Sequence, residues 1–241
     1  MNPDQNNNRI PEKTEGDNGT PPNKIRVSKS AMYIIAFIIL VVIIFSGTIG
    51  LTRYMEHRES KNELTLEQKF QEIEAGNEIT GAMLYNSFPF VFHDGLWYTR
   101  FLYNSNLIVL SLHYNPEEVK EIPTSGQISE EFFRTNEIYI TFNPDGQDMG
   151  YTALSAAELS LSIVKSFNGK PIAACTEKTP GICSERPTVT CDDDDKSVVF
   201  IDNSGGEMGV EFEGRCMRVT GSGEGLLKAA ENLIYDWYGF I

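Results

Sequence analysis

The carboxylates best placed for chemistry in this sequence lie in and after a turn that follows a predicted strand, Glu137–Phe142. The turn, residues 143–148, contains Pro and Gly and stands just past the carboxyl end of a strand, where loops of β-α units hold ligands. Carboxyl groups at such positions can serve as general acid and base or can bind a cation. Three side chains are therefore candidates for a hydrolytic or cation site: Asp145, Asp148 and Glu158.

Glu158 also has a simpler interpretation. The sequence offers no identifiable partner carboxylate for it, and its position fits the polar edge of an amphipathic helix. A second acidic run, Asp192 to Asp195, suggests calcium, but it lacks the alternate spacing, the glycine turn and the distant Glu of an EF-hand loop. Runs of like charge are usually solvated hairpin tips. We therefore predict no resident metal and no cofactor, and keep both acidic loops as weak cation candidates.

The predicted domain contains two histidines, His93 and His113, which could form a shared site only if they faced the same side of the sheet. The first hairpin pairs Phe92 with Trp97, and a turn centred on Ser105 would pair Trp97 with His113. This register places the two imidazoles in adjacent rows, which face opposite sides of a sheet. The sequence therefore predicts that the two histidines do not converge.

Other catalytic motifs find little support. Ser155 and Ser160 lack the G-x-S-x-G setting of a nucleophile. The glycine-rich segment 221–225 lacks the Lys-Ser/Thr pair of a phosphate-binding loop and fits better as a flexible cap of the last helix.

A hydrophobic run, residues 31–51, holds no charge and is bounded by Lys29 and Arg53. At about 1.5 Å per residue it reaches roughly 30 Å, the thickness of a bilayer core. A cleaved signal peptide is the alternative, but its apolar stretch is normally about 7–15 residues long, and Ser46-Gly47-Thr48 is a poor cleavage site. We predict an uncleaved membrane anchor over 31–52.

Basic residues are balanced across this span: Lys13, Lys24, Arg26 and Lys29 precede it, and Arg53, Arg58, Lys61 and Lys69 follow it. Three of the first set crowd its N-terminal edge, and long domains translocate largely regardless of charge. We therefore favour a single-pass protein of the cell membrane with a cytoplasmic N-terminus and an extracytoplasmic C-terminal domain.

All four cysteines follow the span, which favours disulfides in an oxidising compartment. Three connectivities are possible; we favour Cys175–Cys183, around the turn at Pro180-Gly181, and Cys191–Cys216, between two strands. A zinc site would need closely spaced C-x₂₋₄-C pairs, which are absent from the sequence. Four free thiols in a cytoplasmic domain remain the other alternative.

The charge of the chain limits the classes of molecule that it can bind. It carries 20 basic and 34 acidic residues, and all but five of the basic and four of the acidic ones follow residue 52. Phosphate backbones and anionic lipid headgroups repel so acidic a domain. We therefore expect no nucleic acid as a partner, and favour membrane lipid around residues 31–52 together with cations, envelope proteins or glycans.

The sequence divides into four segments. Residues 1–30 are polar and Pro-rich, which predicts a disordered tail. The anchor over 31–52 is followed by a charged stalk or linker helix over 53–80, a solvated spacer rather than a coiled coil. Residues 81–241 form one extracytoplasmic α+β domain, with an aromatic-rich β-meander, a β-α-β unit, further short strands and a C-terminal helix.

Two helices organise this domain. The first, over 151–167, connects two strands that are expected to be parallel, 137–142 and 171–175. Its buried face is expected to carry Leu154, Ala157, Leu161 and Val164. The second, over 224–238, is expected to bury the stripe Leu226, Ala230, Leu233 and Trp237.

Four short segments in these elements, IYITFNP at 138–144, ALSAAEL at 153–159, AACT at 173–176 and GRC at 214–216, precede a terminal LLKAA helix. Together they resemble uncharacterised single-pass membrane proteins of small-genome archaea of the nanoarchaeal and woesearchaeal type. The resemblance covers most of residues 81–241. It implies an anchored domain in an archaeal envelope and transfers no catalytic residue.

The sequence as a whole favours a membrane-anchored extracytoplasmic module for binding or envelope assembly, without catalytic activity. The alternative is a membrane-anchored hydrolase of envelope polymers that uses Asp145, Asp148 and Glu158. Two of these carboxyl groups facing each other across a cleft, about 5–9.5 Å apart, would favour the enzyme.

Overall fold

The computed structural model describes residues 29–60, 64–103 and 105–241. The chain divides into two compact units, Met1–Glu63 and Leu64–Ile241. Most of the predicted N-terminal tail lies outside the described residues.

The first unit contains one described helix, α1, which runs over Lys29–Ser60. Within it, Met32–Gly50 is apolar and long enough to cross a membrane. Large side chains such as Phe37 and Phe45 are exposed along this stretch. A helix that is apolar all round needs either a protein core or lipid to cover it.

A short helix, α2 (Leu66–Glu74), opens the second unit. It starts with a capping box, in which Thr65 and Gln68 each accept a hydrogen bond from the other's backbone N–H. Phe70 and Ile73 are buried against Val91 of the first sheet. The segment predicted as a solvated stalk over 53–80 therefore has two parts. Its first residues continue α1 to Ser60, and α2 packs on the folded domain.

The first sheet is an antiparallel four-stranded meander in the order β1-β2-β3-β4. Its strands are β1 (Ala82–Tyr85), β2 (Phe88–His93), β3 (Leu96–Tyr103) and β4 (Asn106–Leu112). Phe92 pairs with Trp97, as predicted. Trp97, however, pairs with Leu112 and not with His113, because Tyr103 pairs directly with Asn106 and shortens the turn. The predicted register was wrong by one residue, and His113 lies just beyond β4.

The second sheet is mixed, with six strands in the order β5-β9-β10-β8-β6-β7. A helical turn, α3 (Pro116–Val119), leads into it from the first sheet. Its strands are β5 (Thr124–Ile128), β6 (Glu137–Phe142), β7 (Lys170–Ala173), β8 (Ser197–Asp202), β9 (Gly209–Gly214) and β10 (Cys216–Thr220). β6 and β7 are parallel, as predicted for a β-α-β unit. The strand predicted near residue 188 is a single bridge between Cys175 and Thr188.

The two disulfides are those favoured from the sequence. Cys175 is bonded to Cys183, with both residues in the main core, and Cys191 is bonded to Cys216. The second bond lies in a small cluster with Val198 on the opposite face of the sheet. Each bond closes a loop of the unfolded chain, which typically stabilises a domain by about 2–4 kcal/mol.

Helix α4 (Met149–Phe167) lies between β6 and β7 in the chain, with a different face buried from the predicted one. Most of the predicted face is exposed, with Leu161 60% and Val164 49% accessible, and Leu154 is only partly buried. The buried face instead carries small polar side chains, Glu158 and two apolar residues: Thr152, Ser155, Glu158, Leu159, Ser162, Ile163 and Ser166. Ser and Thr are small enough to let another helix approach closely. Their hydroxyl groups can also donate to the backbone of the same helix, as the Thr152 hydroxyl does to the carbonyl of Asp148.

Helix α5 (Glu224–Trp237) packs against α4 and against β9 and β10. Its predicted stripe is buried at Leu226, Ala230 and Leu233, while Trp237 is partly buried. After α5, Phe240 stacks edge-on against Phe88, Phe90 and Phe101 of the first sheet. Hence α5 and the residues after it join the two sheets in one core.

The orientation of α4 can be tested with two neighbouring substitutions. Ser162→Leu adds volume to a fully packed position and should destabilise the protein by about 1–3 kcal/mol. Leu161→Ser alters an exposed side chain and should change stability by no more than about 0.5 kcal/mol. Thermal unfolding of the full chain in detergent measures both. The reverse order of effects would show that the face predicted from the sequence is the buried one.

Candidate functional site

The three carboxylates proposed from the sequence do not meet. Asp145 is exposed in its turn, and Asp148 is exposed at the start of α4, where its Oδ2 accepts a hydrogen bond from the Gly223 N–H at 2.9 Å. Glu158 lies ten residues further along α4, about 15 Å from Asp148 at the rise of an α-helix. The acidic turn therefore positions the start of α5 and does not complete a site with Glu158.

Glu158 meets two other residues instead, His113 just after β4 and Glu231 in α5. The Nδ1 atom of His113 lies 2.7 Å from Oε1 of Glu158 and 3.5 Å from Oε1 of Glu231. One ligand atom from each of the three side chains can be chosen so that all lie within 4.8 Å of one another. We call this set the His-Glu-Glu cluster.

The protein backbone fixes the carboxylate of Glu231. Its Oε1 accepts a hydrogen bond from the His113 N–H and its Oε2 one from the Tyr114 N–H, both at 2.8 Å. These two N–H groups lie where β4 ends and no longer has a strand partner, so Glu231 supplies the acceptors that they lack. The Tyr235 hydroxyl, one turn further along α5, donates to the Tyr114 carbonyl at 2.7 Å. The strand end and α5 are thereby held in register.

Burial dominates the electrostatics of the cluster. The side chain of Glu231 is fully buried, that of Glu158 is 8% exposed, and that of His113 is 36% exposed. Burial, followed by the charge of Glu231, raises the pKa of Glu158 to about 9. Burial also raises the pKa of Glu231, against the lowering effect of its two backbone hydrogen bonds, and lowers the pKa of His113. Near neutral pH these shifts favour a protonated Glu158 beside a neutral imidazole.

A second feature is an apolar groove of about 440 Å³ beside α4. One wall is formed by Ala153, Ala156 and Ser160 of α4, and the other by β6, β7 and the loop closed by the Cys175–Cys183 disulfide. Arg186 is the one charged side chain among the described residues that line it. Its guanidinium lies 5.7 Å from the centre of the Phe142 ring and forms no ion pair within the described chain. A cavity of this size fits a small organic ligand.

The other sequence candidates have structural roles. In the aspartate run, Asp193 accepts a hydrogen bond from the Thr190 N–H and pairs with Lys196 at 2.7 Å, which ties the turn to itself. His93 lies near Asp94, at 3.7 Å, whereas His113 belongs to the cluster. The two histidines thus have different partners, as expected, although the register used to predict this was wrong.

Sequence reasoning considered Glu158 but missed both of its partners. His113 and Glu158 are 45 residues apart, and His113 and Glu231 are 118 apart, so no local spacing marks the set. One signal was present in the sequence of α5, where Glu231 interrupts a largely apolar run that includes Ala230 and Leu233. An ionisable residue in a helix buried on all sides is rarely left without a partner.

Comparisons with known proteins add no family to this description. The chain matches no protein-family model, no curated protein and no solved structure. The resemblance to archaeal single-pass membrane proteins therefore stays a prediction.

The pH dependence of stability tests the raised pKa of Glu158. A carboxyl group whose pKa is higher in the folded state stabilises fully below its unfolded pKa, near 4.5, and loses this contribution as pH rises through its folded pKa, about 9. Between pH 4.5 and about 9, we expect the free energy of unfolding of the full chain in EDTA to fall by about 1 kcal/mol per pH unit relative to that of Glu158→Gln. His113 and Glu231 are present in both proteins, so the difference reports the carboxyl group of Glu158 together with its interaction with Glu231. A difference between the two that does not change with pH would contradict the raised pKa.

Proposed function

We propose that this protein is a membrane-anchored, extracytoplasmic binding module, and that its groove beside α4 binds an apolar ligand that carries one anionic group. The observation that carries the proposal is the groove itself, with apolar walls and a single guanidinium that no carboxylate of the described chain neutralises. An ionised group of the ligand would supply the missing partner of Arg186, and its apolar part would cover Ala153, Ala156 and Ile182.

The surroundings of the groove support a binding role. Ile182, part of its outer wall, belongs to the loop that the Cys175–Cys183 disulfide closes. Lys178 also donates hydrogen bonds to the carbonyls of Ser184 and Arg186, both at 2.9 Å, and so restrains the same loop. A wall restrained in this way loses little conformational freedom when a ligand binds, which favours affinity.

Helix α1 and the disulfides support the proposed extracytoplasmic location of the domain. α1 supplies a stretch apolar and long enough to anchor the chain, and two disulfides suggest an oxidising compartment for the domain. We propose a single-pass topology with a cytoplasmic N-terminus and the domain of residues 64–241 outside the cell membrane. In the archaeal envelope that the resemblance implies, the ligand would come from an envelope component.

The alternative of a carboxylate hydrolase finds less support in the geometry. Asp145 and Asp148 do not face Glu158, and the carboxylate that does face it, Glu231, lies closer than the about 5–5.5 Å that separates the carboxyl groups of retaining glycosidases. Both carboxyl groups of this pair are buried. A polymer chain therefore could not pass between them without opening the core.

A photoreactive ligand tests the groove. 4-Benzoylbenzoate, an apolar diaryl ketone with one carboxylate, should label the groove residues of the full chain in nanodiscs, as mapped by peptide mass spectrometry. Arg186→Gln should weaken this labelling about tenfold or more, since a hydrogen bond to a charged group is worth about 1.5–3 kcal/mol. Ala156→Phe should abolish it by filling the groove.

Ala157→Phe is the matched control, because Ala157 is the exposed neighbour of Ala156 on the same helix. It should leave labelling and melting temperature unchanged. Labelling that survives Ala156→Phe, or that is spread over exposed side chains of α1 and α4, would refute the groove as the binding site.

Thiol trapping in intact cells tests the location. With both disulfides formed, a membrane-permeant alkylating reagent such as N-ethylmaleimide should modify no cysteine until a reductant is added. Cys191→Ser should free a thiol at Cys216 and leave Cys175–Cys183 intact. Four cysteines that react in the untreated native protein would place the domain in a reducing compartment.

A further inference from the structure

The His-Glu-Glu cluster lies outside the proposed groove and has an unbalanced charge. Glu158 and Glu231 are two buried carboxyl groups that approach each other, and His113 is the one basic side chain that pairs with either among the described residues. Burying an ionised carboxylate is costly unless an opposite charge compensates it. One imidazole cannot compensate the charge of two carboxylates.

The second observation is an oxygen without a donor. The side chain of Glu158 is more than nine-tenths buried, its Oε1 faces His113, and no hydrogen-bond donor of the described residues reaches its Oε2. Buried polar atoms are nearly always paired. An atom of this kind inside a cluster of ligand-type side chains indicates a missing cation or proton.

The geometry and donor set suit a metal ion. Ligand atoms about 2.1 Å from a tetrahedral zinc ion lie about 3.4 Å from one another. Nδ1 of His113 and Oε1 of Glu231 are already 3.5 Å apart. Oε1 of Glu158 lies 2.7 Å from the same nitrogen, so it would need to move outward by less than about 1 Å. One imidazole nitrogen with carboxylate oxygens suits first-row transition metals better than Ca²⁺ or Mg²⁺, which prefer oxygen alone.

Other contacts resemble the outer shell of a metal site. The His113 and Tyr114 N–H groups orient Glu231, in the way that outer-shell hydrogen bonds orient metal ligands. The partial exposure of His113 leaves one side of the cluster open to water, which could supply a further ligand.

We propose that His113, Glu158 and Glu231 bind one divalent transition-metal ion, such as Zn²⁺, which ties the end of β4 to α4 and α5. The ion compensates both carboxylates and gives the unpaired oxygen of Glu158 its partner. The sequence predicted no metal here, because the three ligands come from elements far apart in the chain. The site is independent of the groove, so either can be wrong without the other.

Co²⁺ and Zn²⁺ titrations of the full chain test the site. The protein should be purified without a polyhistidine tag and stripped with EDTA, which is then removed. We expect one Co²⁺ per chain, detected by its visible absorption bands, and displacement of this ion by Zn²⁺. An excess of Ca²⁺ or Mg²⁺ should leave Co²⁺ bound, and displacement by either would overturn the assignment to a transition metal.

Substitutions test whether the Co²⁺ absorption bands arise from an ion bound by the His-Glu-Glu cluster. Glu158→Gln and His113→Gln should each weaken Co²⁺ binding by at least the about 10–100-fold that is usual when a residue orienting a ligand is lost. His93→Gln, which changes the other histidine of the domain, should bind as the wild type does. Zn²⁺ should also raise the melting temperature of the wild type but not of Glu158→Gln.

Failure of the wild-type chain to bind Co²⁺ or Zn²⁺ would overturn the proposal, with a proton shared by Glu158 and Glu231 as the remaining explanation. Equal binding by wild type and Glu158→Gln would also overturn it and place the ion elsewhere. Circular dichroism of each variant before titration shows whether it is folded. Should Glu158→Gln be unfolded, loss of the Co²⁺ bands in folded His113→Gln decides the question.

Discussion

The contact between α4 and α5 is the constraint on which the rest of this domain depends. The α4 face that is buried carries small hydroxyl side chains, and α5 has two fully buried alanines, Ala229 and Ala230. Small side chains allow helices to pack closely, and α5 is also packed on β9 and β10. Once α4 is turned this way, Glu158 must enter the interior, and Leu161 and Val164 must point to solvent.

Both candidate sites follow from this single orientation. The inward face brings Glu158 to Glu231, which is itself held by the unpaired amides at the end of β4. The flank of the same helix contributes Ala153, Ala156 and Ser160 to the groove, opposite the disulfide-closed loop. A rotation of α4 by about half a turn would remove the carboxyl pair from the core and replace the groove wall with other residues.

The two sites suggest a division of roles within the domain. The proposed metal ion would stabilise the junction of β4, α4 and α5, where the two sheets share one core. The groove lies beside α4, against the edge strand β7, whose Pro171 cannot donate a backbone hydrogen bond to a further strand. Recognition there would depend on side chains, with Arg186 selecting charge, and not on addition of a strand to the sheet.

Local patterns in the sequence determined much of the architecture. The apolar run gave the helix α1, the turn signals gave most strands, and the even set of cysteines with a turn at Pro180-Gly181 gave the correct disulfides, because each pattern reflects the covalent and steric properties of neighbouring residues. The register error at His113 came from one residue in a turn, where small differences decide the pairing of a whole strand.

Only the tertiary structure decided which face of α4 is buried and which carboxylates meet. Hydrophobicity ranked Leu161 and Val164 above Ser155 and Ser162, but the α4 face turned inward carries mostly small side chains beside Glu158, Leu159 and Ile163. The space that this face fills is defined by residues distant in the chain. The partners of Glu158 come from two other elements for the same reason. A single sequence records the composition of each element but not the distance at which two elements pack, so a site assembled by that packing leaves no local pattern to read.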